Sequence, residues 1–289
     1  MKSQDSHPAV LGRERVVRNV LVSLVLVFLV VPMLVPLYWL VLTALRPNST
    51  TNTLPLNLLP TNLTLENVIR QLSDAEGFLT YFRNSLITAS ASMILSIIVS
   101  VLAGYALSRL RFPGKMGLLL AVLASQMFPV MLVVISLYVL YNRLGLLNSY
   151  LGLTLAFTTL SLPFSIWMMR GFFDSVPIEL EEAAFVDGTS RMGSMWHVLL
   201  PAVSPGLISV ALFSFLNAWN NMLIALTLTS SPDKRTIPPG FLATYVGEYQ
   251  YRWSDAMAGS MIVTLPIAIV FILLQRYFVQ GMTAGAVKG

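Results

Sequence analysis

The chain has 289 residues, of which 56% are hydrophobic and 11% charged, and a net charge of +5. That balance excludes an ordinary soluble domain, and basic residues scattered through loops rather than gathered on one face exclude a nucleic-acid footprint. With no cysteine, disulfides and thiolate metal sites are excluded, and His7 and His197 have no partners nearby in sequence to complete a metal set.

A bilayer core takes about 20 mostly apolar residues per helix. Six stretches meet that requirement, at 20–42, 85–107, 117–141, 151–169, 206–228 and 256–274. The first is too long for the apolar region of a secretory signal and no small-residue cleavage site follows it, so it is expected to be an uncleaved span. The predicted organisation is an all-α membrane protein with an N-terminal segment at 1–19, a six-span domain at 20–278 and a tail at 279–289.

Loop charge orients the spans. Eleven basic residues fall on one side: Lys2, Arg13, Arg15, Arg18, Arg109, Arg111, Lys115, Arg170, Arg191, Arg276 and Lys288. Seven fall on the other: Arg46, Arg70, Arg83, Arg143, Lys234, Arg235 and Arg252. By the positive-inside rule both termini and the 175–204 loop are expected in the cytoplasm.

The expected outer side has loops at about 43–84 and 229–255. In the first, Thr64 is placed to cap a short helix running to Leu72, with Leu65, Val68, Ile69 and Leu72 on one face. The second has turn formers, including Pro232, Pro238, Pro239 and Gly240, then Tyr245, Tyr249, Tyr251 and Trp253. These aromatics suit interfacial anchors or a surface for an external partner, and both readings stay open.

The 175–204 loop must work in water. Pro177 suits a helix start, and Glu179, Glu181 and Glu182 then complement the macrodipole in the first turns. Gly188 is placed to end or bend this helix, because glycine tolerates positive φ. Thr189 or Ser190 can cap a second helix through Trp196 to Leu200, closed by Pro201 and Pro205.

The spacing Glu182-Ala183-Ala184, Gly188, Val198, Leu200-Pro201 resembles the EAA loop of ABC importer permeases. Trp219-Asn220 and the tail from Gln275 to Gly289 are similar to the carbohydrate-uptake branch, and more closely to its maltose-type second, six-span permease subunit. The resemblance implies a type I ABC importer permease fold. It also implies that the first loop helix docks in a cleft of a separate ABC ATPase dimer, which binds ATP and Mg. Glu182, Ala183, Ala184, Asp187 and Gly188 are the matching positions. Glu182 would pair with a base on that partner, the alanines would permit close approach, and Gly188 would set the interhelix angle. Thr189 stands where the family often has alanine. The tail residues Gly285, Ala286, Val287, Lys288 and Gly289 would reach the ATPase, and the outer loop at 232–253 would approach an extracytoplasmic sugar-binding protein. A sister permease subunit is implied as well.

The chain is not expected to be an enzyme or to carry a cofactor. Its one Gly-Lys pair, Gly114-Lys115, precedes Met116 where a P-loop needs Ser or Thr, and Arg109 stands where the first glycine belongs. For the substrate path, Asn217, Asn220 and Asn221 fall on one helical face by i, i+3, i+4 spacing. They read either as interhelical glue or as a polar lining with Trp219 as a stacking surface. Gln126, just before Met127-Phe128-Pro129, is a further candidate, since Pro129 can break the third span. The expected function is ATP-driven import of a mono- or oligosaccharide by alternating access. The rivals are glycerol 3-phosphate or a polyol derivative as cargo, an ion-coupled secondary transporter, and a scaffold without transport.

Overall fold

The structure is a computed structural model that describes residues 8–48, 58–59, 61–73, 77–245 and 252–284, with side chains described between 18 and 275. All regular structure among the described residues is helical. The elements are α1 (Pro8–Ala44), α2 (Glu66–Leu72), α3 (Phe78–Arg109), α4 (Lys115–Met127), α5 (Val130–Leu144) and α6 (Tyr150–Ser175). They continue with α7 (Ile178–Val186), α8 (Arg191–Ala202), α9 (Ser204–Trp219), α10 (Met222–Leu228), α11 (Ile237–Tyr245) and α12 (Trp253–Ala284).

Among the described residues, four stretches are long and apolar enough to cross a bilayer: α1 from Arg18, α3, α6, and α12 as far as Gln275. The pairs α4–α5 and α8–α9 qualify only when joined, giving up to six spans, and they bend by 98° and 79° at their breaks. The first bend has a local cause. Phe128 precedes Pro129, whose ring pushes it out of the helical region to ψ 135°, and Pro129 itself is extended at ψ 121°. The predicted third span is therefore two helices. The predicted fifth span, 206–228, is also interrupted. Helix α9 stops at Trp219, and Asn221 starts α10 by accepting a 3.0 Å bond from Ile224 N.

By internal contacts the chain forms two units, Met1–Ile69 with Arg252–Ile262 and Arg70–Tyr251 with Val263–Gly289. In the first, α1 exposes Val20 to Val35 on all sides, the pattern of a helix bathed in lipid. Beyond it, Asn67 donates to Ala44 O (2.9 Å) and Arg46 O (2.7 Å). Asn48 Nδ2 donates to the buried Asp255 carboxylate at 2.9 Å.

Helix α2 forms where the sequence predicts it. Thr64 Oγ1 does accept from Glu66 N at 3.1 Å. The face that turns inward, however, is the polar one, with Asn67 and Gln71 buried, while Leu65, Ile69 and Leu72 are exposed. A buried amide is stable here because it has partners, and an outward apolar face is at home beside lipid.

In the second unit, α3, α6 and α9 pack side by side. Hydroxyls line their contact: Ser96 bonds Ser161 (2.9 Å), Thr158 donates to Ser92 (3.2 Å), and Ser165 lies 3.3 Å from Ser214. Small polar residues let helices approach closely where lipid removes the hydrophobic drive for association. Two apolar clusters flank this seam. One is built around Tyr81, Phe157, Trp219 and Ile224, and the other around Val101, Met169, Phe173, Met195 and Leu199.

The segment 229–236 is clamped onto the ends of α3 and α6. Asn84 Nδ2 donates to Asp233 O and Arg235 O, both at 2.8 Å, while its Oδ1 accepts from Tyr150 Oη at 2.8 Å. Asn148 Oδ1 accepts from Ser230 N, Ser231 N and Ser231 Oγ. The Pro238-Pro239-Gly240 run is not a turn but the first turn of α11, where missing N–H groups cost little. Tyr245 is buried, packs on Phe241 and bonds Gln71, so it is not an interfacial anchor. Trp253 is exposed, and Tyr249 and Tyr251 lie outside the described residues.

Candidate functional site

The 175–204 loop folds as helix, glycine turn, helix. Pro177 is the residue before α7 rather than its first residue, with φ −55° and ψ 137°. Glu179 and Glu181 then lie in the first turn, where the helix dipole favours carboxylates. At the other end Gly188 has φ +83°, and Thr189 N bonds back to Ala184 O at 3.0 Å. This is the left-handed C-terminal reversal that the sequence predicts for a glycine at this place. Ser190 rather than Thr189 caps the next helix, accepting from Gly193 N at 3.1 Å.

Helix α8 is not regular throughout. Residues Met195–Leu199 form a π-turn, and Pro201 just beyond has no N–H to offer His197 O. The His197 ring, in the tautomer protonated at Nδ1, donates to Gly193 O at 2.9 Å. Met195 and Leu199 are almost wholly buried, packed with Phe172 and Phe173 of α6 and Val101 of α3. The second loop helix is thereby rooted in the helix bundle, while α7 stands at the surface.

The predicted residues divide by burial. Glu182, Ala183, Asp187 and Gly188 are exposed. Ala184 is 7% exposed and turns into the chain's own packing, so its small side chain serves the fit of α7. Exposed apolar side chains accompany the acids: Ile178, Leu180, Phe185 and, at 88% exposure, Val186. Helix α7 thus exposes acidic and apolar side chains together around most of its circumference.

Glu181 belongs to none of this surface. It is buried, its Oε1 accepts from Tyr105 Oη at 2.6 Å, and its Oε2 lies 3.1 Å from Arg109 Nε. The latter contact is a charge contact off the hydrogen-bonding direction of Nε. Arg109 also donates through Nη2 to Val176 O at 2.7 Å. Nearby, Ser108 donates to Asp174 (2.6 Å), which pairs with Arg170 (3.3 Å), and Lys115 Nζ bonds Ser108 O and Leu110 O. Three of the cations counted toward the expected orientation, Arg109, Lys115 and Arg170, are therefore also fastenings. In the sequence Glu181 stands as one more first-turn acid beside Glu179 and Glu182. Its signal was the i, i+4 pair Tyr105 and Arg109 at the end of an apolar helix.

The substrate-path candidates do not form one face. Asn217 lies on α9, Asn220 follows its end, and Asn221 begins α10. Asn220 Nδ2 bonds Leu216 O at 3.0 Å, and Asn221 is spent on its cap. Asn217 Oδ1 is buried without a hydrogen-bond partner among the described residues. Trp219 is 3% exposed, stacked on Phe215 at 5.3 Å and edge-on to Phe82 at 5.5 Å, so it is not an open stacking surface. Gln126, exposed just before the Phe128-Pro129 break, donates to Leu160 O at 3.0 Å, three residues from the helix-loosening Pro163.

No group of three His, Asp or Glu among the described residues is placed to hold a metal. The predicted tail contacts Gly285, Ala286, Val287, Lys288 and Gly289 lie outside the described residues. Helix α12 runs to Ala284, so the backbone marks no boundary at 279.

Residues 96–284 match the family described as binding-protein-dependent transport system inner membrane component. The diacetylchitobiose uptake system permease protein DasC of Streptomyces coelicolor is 36% identical over 263 residues, covering 91% of this chain and 95% of that protein. The trehalose/maltose transport system permease protein MalG of Thermococcus litoralis is 35% identical over 279 residues, covering 96% and 99%. A solved structure of a bacterial ABC transporter involved in import of the acidic polysaccharide alginate has the same fold. One of its chains superposes with a TM-score of 0.78 at 22% identity, covering 96% of this chain and all of that one.

Proposed function

The chain belongs to the family of binding-protein-dependent transport system inner membrane components, and from that premise we propose a sugar as its cargo and the α7–α8 loop as its coupling element. As a member it is a multi-pass, non-catalytic permease subunit of an ABC importer, which sets aside the ion-coupled transporter and the scaffold. The relatives named above carry diacetylchitobiose and trehalose or maltose, which favours a mono- or oligosaccharide here. Nucleotide chemistry then falls to a separate ABC ATPase dimer that binds ATP and Mg. A sister permease completes the membrane path, and an extracytoplasmic binding protein delivers the sugar. The termini and the α7–α8 loop face the cytoplasm.

The observation that carries the coupling role is the division of labour within the loop. Helix α7 presents Glu182, Ala183, Asp187 and Val186 outward, while α8 is sunk by Met195 and Leu199 between α3 and α6. A push on the first helix thus reaches the spans through a packed contact rather than a slack chain. Gly188 fixes the angle between the two helices, and Gly285 to Gly289 extend the docking contact. On the substrate side, Asn217 is the strongest candidate, since a buried amide oxygen without a partner suits a sugar hydroxyl.

The experiment is a mild-detergent pull-down from native membranes with mass spectrometry, run on wild type and Glu182→Lys. An ABC ATPase and a second permease should accompany the wild type, and the ATPase should be lost from the variant. Recovery of the chain alone, under conditions that preserve other membrane complexes, would overturn the reading. Uptake of labelled trehalose or diacetylchitobiose into vesicles should require ATP, and uptake of labelled glycerol 3-phosphate instead would displace the sugar.

A further inference from the structure

Glu181 and Glu182 are neighbours on α7, about 100° apart around the helix, and one is buried while the other is exposed. Burying a carboxylate is costly unless strong partners replace its water. Here the partners are Tyr105 and Arg109, one turn apart on α3, so both reach the same carboxylate from a single helix face. Arg109 simultaneously holds Val176 O, the carbonyl of the residue that ends α6. The Tyr105 ring is fixed in turn, edge-on to Phe173 of α6 at 5.9 Å. Arg191, at the start of α8, lines the same small cleft as Tyr105, Arg109, Glu181 and Glu182.

One carboxylate therefore ties the surface helix to the ends of two spans. The directional part of the tie is the short Tyr105 hydroxyl bond, which is lost if α7 tilts or slides by an ångström or two, while the Arg109 guanidinium adds attraction that holds the carboxylate near it. A helix that only had to present Glu182 to a partner would gain nothing from a buried acid on its inner side. A helix that has to drive α3 would need one, because the apolar contacts of Ala184 alone resist sliding weakly.

We propose that Glu181 is a positioning residue whose clamp to Tyr105 and Arg109 makes α7 move as one body with the end of α3. The inference rests on the coupling role given above to the α7–α8 loop. Without the clamp, ATPase closure would rock α7 on the Gly188 turn, and the motion would be spent in the loop.

The test uses the assembled importer in proteoliposomes, comparing wild type, Glu181→Gln, Tyr105→Phe and Glu182→Lys. Three quantities are read: ATPase retained in the complex, ATP hydrolysed, and sugar taken up per ATP. For Glu181→Gln and Tyr105→Phe the ATPase should stay bound and hydrolysis should persist, while uptake per ATP falls by about tenfold, the scale of one hydrogen bond to a charged group. Glu181→Asp, which keeps the charge, should recover part of that loss. A purely structural contact would lower assembly, hydrolysis and uptake together and leave the ratio intact, and that result would overturn the proposal. So would an unchanged ratio in both variants. If Glu182→Lys still binds the ATPase and couples normally, it is the role of the whole loop that fails. If Glu182→Lys loses the ATPase while the Glu181 variants couple normally, only the clamp fails.

Discussion

Gly104 of α3 lies so close to Met169 of α6 that a methyl group on it would sit 2.8 Å from the Met169 Cβ and 3.0 Å from Arg170 N. Neither neighbour is the free end of a flexible side chain, so the two helices would have to separate.

Gly104→Ala should therefore cost about 1–3 kcal/mol, the usual range for overpacking. Gly171, on the same helix as Met169, has nothing within 4 Å of a built Cβ, and Gly171→Ala should be neutral or slightly stabilising. Thermal unfolding of the two variants in detergent, followed by size-exclusion, checks the contrast. Equal midpoints would mean that the α3–α6 contact is looser than described.

Gly188 is a different kind of glycine. Its surroundings are open, with nothing within 4 Å of a built Cβ, but its φ is +83°. A substitution there costs backbone strain of about 1–2 kcal/mol for most residues and less for Asn or Asp. Gly188→Asn should keep most uptake, and Gly188→Val should lose it while the chain stays inserted. If Asn is as damaging as Val in the uptake assay, the demand at this position is for a bare surface, not for left-handed backbone.

The order of helices and the Gly188 turn were legible in the sequence because they depend on local signals. Apolar length gives spans, and a glycine after an acidic helix gives a reversal. What stayed hidden depends on contacts distant in sequence. Asn217, Asn220 and Asn221 look like one stripe only if the helix continues, and the Asn221 side chain ends that possibility by capping α10. Trp219 looks like a sugar platform until Phe82 of another helix closes over it. Glu181 and Glu182 are the same residue type one position apart, and only the direction of α7 tells the buried acid from the exposed one. The serines at 92, 96 and 100 have a period of four that marks a buried face of α3, where Ser92 and Ser96 meet hydroxyls of α6.

Asn84 offers a test of the clamp on the 229–236 segment. Its side chain donates to two carbonyls there and accepts from Tyr150, so these three side-chain bonds all leave its own helix. Asn84→Asp keeps the shape but replaces the donating amide with an acceptor facing Asp233 O and Arg235 O. Loss of two part-buried bonds, with Asp233 O left only the longer Tyr150 Oη contact at 3.5 Å, should cost about 2–4 kcal/mol. Limited proteolysis should then cut between Ser230 and Thr236 several times faster than in wild type. An unchanged cleavage rate would mean that the Asn148 contacts hold the segment unaided.

Trp219 and Asn217 should separate packing from substrate recognition. Trp219 fills the space between Phe82 and Phe215, so Trp219→Ala removes a large buried ring and should cost about 3–5 kcal/mol. Trp219→Phe keeps an aromatic ring there and should cost less than half of that, with the KM for sugar unchanged. Asn217→Ala removes a buried oxygen that has no bond to lose, so folding should be nearly unaffected. If that oxygen meets a sugar hydroxyl during transport, the uptake KM should rise several-fold or the maximal rate fall, with the melting midpoint unchanged. Uptake kinetics and thermal unfolding on the same preparations decide the matter. A Trp219→Phe variant that folds well but fails to recognise sugar would put the indole back on the path, and an Asn217→Ala variant with unaltered kinetics would remove the amide from it.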